Sequence, residues 1–103
     1  MGFGPIRDPN QNDVLCGRGG LINGSVGNVQ FRNIVSKRKK EYNNKATKRN
    51  EKAHIAAEIV KQIRSMIPPG RFLREDCNGL WFDIGDARAI RKTGQALREA
   101  APN

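Results

Sequence analysis

Ile55, Ile59, Val60 and Ile63, continued at Ile67 and flanked by Ala53 and Ala56, recur at the three- and four-residue spacing of one helix face. Pro68-Pro69-Gly70 then stops the pattern. The spacing predicts a helix over about residues 48–67 with that arc buried. Extended back one turn, the arc meets Lys48, Arg49 and Lys52. The core-facing stripe therefore turns basic, and this end of the helix is expected to project past the core.

The rest of the chain reads around this helix. Upstream, Phe31, Ile34, Val35 and Tyr42 share one face of a helix predicted over 29–43, with Asn28 as its N-cap. Asn33, Ser36, Lys37 and Lys40 fall opposite. Arg38 lies on the apolar stripe and must snorkel or meet an anion. Residues 43–47 break the two helices apart. Before them, Asp13-Val14-Leu15-Cys16 reads as a short strand, and residues 17–28 form a glycine-rich loop. Downstream, Arg71–Arg74 and Leu80–Ile84 read as a β-hairpin around Asp76-Cys77-Asn78-Gly79, with Asn-Gly the strongest turn signal. Leu80, Phe82 and Ile84 point one way, Trp81 and Asp83 the other. Asp86 is the expected cap of a last helix over 87–100, with Ala87, Ile90, Gly94 and Leu97 inward and Arg88, Arg91, Lys92 and Gln95 outward. The fold class is α+β: a short strand, a two-helix hairpin, a β-hairpin and a C-terminal helix. Residues 12–100 make one domain, residues 1–11 an N-terminal flexible arm, and 101–103 a tail.

The formal net charge is +9, and its location matters more than its size. From Phe31 to Met66 there are eleven Lys or Arg against three acids, while the remainder carries eight against seven. Such a segment attracts polyanions: nucleic acid first, an anionic membrane or an acidic protein second. A solvated face that keeps the protein soluble is the bland alternative.

Enzymatic chemistry finds little support. His54 is the only histidine and falls on the polar side of its helix, away from any triad. With Cys16 and Cys77 it cannot fill a four-ligand zinc site. Cys16, in an apolar run, is expected to be buried and inert, and Cys77 to lie in a turn. No paired carboxylates stand out, so no catalytic residue, metal or cofactor is assigned. The glycine-rich loop fails the Walker pattern, because Ser25-Val26 stands where Lys-Ser/Thr is required. It fails the dinucleotide fingerprint at Ile22. No hydrophobic run approaches transmembrane length and no signal-peptide stretch opens the sequence, so no membrane partner is expected. The expected location is intracellular, in the nucleus, with reduced thiols.

Lysine and arginine tell a more coherent story. Lys37 and Lys40 line the outer face of the first helix. Lys45, Lys48, Arg49 and Lys52 collect where the second begins, beside a helix N-terminus that favours phosphate. Arg18, with the backbone of its glycine-rich loop, is a further phosphate contact. Arg91 and Lys92 sit on the outer face of the last helix, which is either a recognition helix or an ordinary solvated one. Trp81 and Phe82 either stack on unpaired bases or belong to the core. The function expected is binding of nucleic acid, duplex DNA above all. A module that docks on an acidic protein is the alternative.

Asn12-Asp13-Val14-Leu15-Cys16-Gly17-Arg18-Gly19-Gly20, then Gly27-Asn28-Val29-x-Phe31-Arg32, resembles a domain of unknown function found in diatom and related algal proteins. Further matches run through Gly70-Arg71-Phe72-Leu73, Trp81 and Gly85-Asp86 to Gln95-Ala96-Leu97-Arg98-Glu99. The resemblance covers about residues 12–99. This sequence departs from the family pattern at Ser25-Val26, where a His-Pro is usual. Low-complexity flanks in the family imply a gene-regulatory setting, which is association and not mechanism.

Overall fold

The computed structural model describes residues 4–17 and 20–99. Its elements are β1 (Val14–Cys16), α1 (Gly20–Asn23), α2 (Val26–Tyr42), α3 (Arg49–Arg64), β2 (Phe72–Glu75), β3 (Trp81–Asp83) and α4 (Asp86–Arg98). The expected α+β class holds. The sheet has the order β1-β2-β3, with β1 parallel to β2 and β2 antiparallel to β3. A parallel pair needs a long crossover, and the α2–α3 hairpin supplies it.

Register decides what the sheet offers the helices. Val14 pairs with Phe72, Cys16 with Arg74, and Arg74 with Phe82, so these five side chains share one face. Val14 and Phe72 join the helical core with Phe31, Val35 and Tyr42 of α2, Ile55, Ile59, Val60 and Ile63 of α3, and Ala89 and Leu97 of α4. Phe31 meets Phe72 edge to face, with ring centroids 5.6 Å apart. Further along the strands the same face reaches the surface at Arg74, while Cys16 stays buried outside the main cluster.

Several sequence expectations are corrected. Helix α2 starts at Val26 with Ser25 as N-cap, not at residue 29 behind Asn28. The carboxamide of Asn28 is occupied elsewhere: its oxygen accepts from the Leu15 N–H at 2.7 Å, and its nitrogen donates to the Leu15 carbonyl at 2.9 Å. A side chain thus satisfies the outer edge of β1, which no further strand among the described residues covers. Helix α3 ends at Arg64, and Ile67, expected in its buried arc, is 94% exposed. The residue before a proline is pushed out of the helical region, so Ile67 lies on the turn leaving the helix. Ala53, the other end of that arc, is exposed too.

In α4 the inward face is Ala89, Thr93, Gly94 and Leu97, and Ala87 is exposed. Thr93 was not an apolar candidate, yet its hydroxyl donates to the Ala89 carbonyl at 2.8 Å and so carries no buried polar cost. On β3, Trp81 is buried while Phe82 is 36% exposed, so of the two only Trp81 belongs to the core.

Arg38 meets anions, as its position on the apolar stripe requires. It bridges Glu41 at 2.9 Å and Glu58 at 3.1 Å, tying α2 to α3. The segment expected as an N-terminal arm touches the body: Ile6 pairs with Trp81 across the edge of β3, and Asn10 donates to the Pro69 carbonyl.

Candidate nucleic-acid interface

Helix α4 carries Arg88, Arg91, Lys92 and Gln95 at the spacing of one helix face. Two of the grooves along that face are rich in cations, while a smaller one past Lys92 and Gln95 includes Glu99. The first, about 510 Å³, runs between the end of α2, the start of α3 and α4, and contains Arg49, Lys52, Arg91 and Arg98. The second, about 580 Å³, runs between α4 and the ends of β1 and β2, and contains Arg74, Arg88, Arg91 and Lys92. Arg91 lines both, so the grooves are neighbours. Neither is lined by a carboxylate among the described residues.

Five of the ten acids are taken up by ion pairs within the fold. Asp13 holds Arg71, Asp83 and Asp86 hold Arg64, and Glu41 and Glu58 hold Arg38. Among the described residues none of the seven groove cations is in an ion pair. Their charge therefore faces solvent uncompensated. Past Arg74 and Arg88 the surface becomes mixed, where another groove adds Glu75, Asp76, Asp83 and Asp86.

Four of the sequence candidates come together here: Arg49, Lys52, Arg91 and Lys92. Lys45 and Lys48 precede α3 without lining either groove, and Lys37 and Lys40 lie exposed on α2, also outside them. The start of α3 is partly answered from within, since the Lys48 N–H donates to Glu51 at 2.8 Å. Arg18 lies outside the described residues, although its neighbour Gly17 lines the second groove. Arg88 is read from the sequence only on the outer face of the last helix, and Arg74 and Arg98 are not among the candidates. The cations at i, i+3 and i+4 of α4, Arg88, Arg91 and Lys92, were the signal for Arg88; nothing local marks Arg74 on its strand.

The chemistry of the remaining groups is quiet. Cys16 and Cys77 are free thiols, one buried and one exposed. Burial pushes the Cys16 thiol pKa up, against the opposing pull of Lys92 and Arg74. His54 is exposed, 3.5 Å from Glu58. Among the described residues no group of three His, Cys, Asp or Glu side chains is placed to hold a metal, and no helix is long and apolar enough to cross a membrane.

This is a small α+β domain whose sheet-and-helix core presents a cation face along its last helix. The family model for a domain of unknown function (DUF6824) matches residues 13–99, and the chain belongs to that family. No curated protein and no solved structure matches it.

Proposed function

We propose that this domain binds nucleic acid, duplex DNA in the first place, through the cation face along α4. The observation that carries the reading is the pair of adjoining grooves with seven cations and no carboxylate. A phosphate backbone is the polymer such a face attracts, with counterion release as the main driving force. Three of the cations and Gln95 project from one side of a regular helix of 13 residues, about 20 Å long, a shape that suits the major groove. An unpaired strand fits less well. Tyr42, the one aromatic residue lining either groove, is buried and offers no stacking platform. The reading is of a binding domain and not an enzyme, and a DNA partner carries a nuclear location with it.

Titration of the protein with a labelled duplex at two salt concentrations tests this. Affinity should fall steeply with salt, with a log–log slope of about −0.9 per phosphate neutralised. An absence of binding to any DNA or RNA at low salt would overturn the proposal. A partner retained from extract after nuclease treatment would favour an acidic protein instead.

A further inference from the structure

The two grooves differ in construction. The first is a concave site walled by three helices, with Ala53, Ala56, Ile90 and Gly94 among its lining and Arg49, Lys52, Arg91 and Arg98 around it. Two of those cations are held by one buried side chain. The Arg98 guanidinium donates to the Tyr42 hydroxyl at 3.3 Å, and the Lys52 ammonium sits 5.5 Å from the centre of the Tyr42 ring. Both contacts orient a cation without neutralising it.

The frame is fixed as well. The Asn43 side chain donates to the Leu97 carbonyl at 2.8 Å, tying the end of α2 to the end of α4 beside the groove. At Gly94 an added Cβ would stand 3.4 Å from the Arg98 guanidinium and 3.6 Å from the Tyr42 hydroxyl, so glycine leaves this wall open.

We infer that this first groove is a site for a compact soluble ligand bearing two or three linked phosphate groups. Four cations without a carboxylate match several anionic charges presented close together. A duplex lying along α4 meets the cations at the rim of this groove, whereas a compact ligand can set its linked phosphates within it. Apolar side chains in the lining lower the local dielectric and strengthen each contact. The inference goes beyond DNA binding and stands without it, because Lys52, Arg98 and Tyr42 belong to this groove alone.

Calorimetric titration of the whole chain with sodium tripolyphosphate, without magnesium, is the test. The wild type should bind it, and more tightly than orthophosphate at equal ionic strength. R98Q and K52Q should each weaken binding about tenfold, as for loss of one charge-assisted contact. Y42F keeps the ring and the core and should weaken binding about threefold by freeing Arg98. R88Q, which alters only the cation face beyond this groove, should leave the affinity unchanged. No binding by the wild type, or equal losses in R88Q and R98Q, would overturn the inference. Tripolyphosphate binding without DNA binding would overturn the nucleic-acid reading alone; the reverse result would overturn this inference alone.

Discussion

Asp13 holds Arg71 at three points: its carboxylate accepts from the Arg71 backbone N–H at 2.8 Å, from Nε at 3.1 Å and from Nη2 at 2.8 Å. The Asp13 side chain is fully buried, and Asn10 N–H adds a fourth bond to it. One residue before β1 is thereby locked to the residue before β2, and this sets the parallel register of the two strands. Asp13→Ala leaves four donors unanswered, two of them on the backbone. We predict a loss of about 3 kcal/mol, read as a lower urea midpoint. A midpoint unchanged from wild type would remove Asp13 from the folding account.

Gly27 packs its α-carbon onto the same aspartate. A Cβ there would overlap the Asp13 carbonyl oxygen and come within 2.7 Å of its carbon. Gly27→Ala forces β1 off the start of α2, although alanine is the better helix former. The expected cost is about 3 kcal/mol, opposite in sign to the change that helix propensity predicts. Thermal melting decides between the two signs.

These contacts give the opening motif its physical meaning. Asn12 donates to the Pro68 carbonyl, Asp13 holds Arg71, and Asn28 clasps Leu15. These residues serve as the joints between β1, α2 and the turn before β2. Helical periodicity located α2, α3 and α4 because each has an apolar stripe, and Asn78-Gly79 located the hairpin. Periodicity missed what depends on partners far along the chain. Asn28 was legible as a cap, and only the nearness of β1 gives its side chain another use. Similarly, the cation face was half legible. The α4 stripe is local, but its meeting with Arg74 and Arg49 is tertiary. Counting charge by segment pointed to the centre of the chain, where Arg38 and Arg64 are in fact consumed by carboxylates.

The two thiols should react at very different rates. Cys77 is exposed, whereas burial raises the pKa of Cys16 and lowers its thiolate fraction. In native protein near neutral pH, one equivalent of a thiol reagent should react quickly, and the second only on unfolding. Two fast equivalents would contradict the placement of Cys16.

Acid should destabilise the fold partly through Asp83. Burial works to raise its pKa, but hydrogen bonds from Arg64 and from the Gly85 N–H outweigh this, and the carboxyl sits below its ordinary value. A depressed folded-state pKa means that the unfolded chain takes up the proton first as pH falls. The contribution is therefore complete above about pH 4, the ordinary carboxylate value, and is lost as pH falls through the folded-state pKa. Asp83→Asn should flatten this part of the stability–pH curve and lower the plateau above it. A variant curve parallel to wild type below pH 4 would assign the acid limb to other groups.

The central claim is that the cation face along α4 carries the binding. Anisotropy titration of a short labelled duplex tests it with two charge-matched variants: R88E/R91E/K92E on α4, and K37E/K40E/K45E on α2 and the turn after it. Both should keep the wild-type circular dichroism, since none of these six side chains is in an ion pair among the described residues. The account predicts that the α4 variant loses at least about a hundredfold in affinity at low salt, while the α2 variant loses less than about tenfold. Equal losses, or a greater loss in the α2 variant, would contradict it.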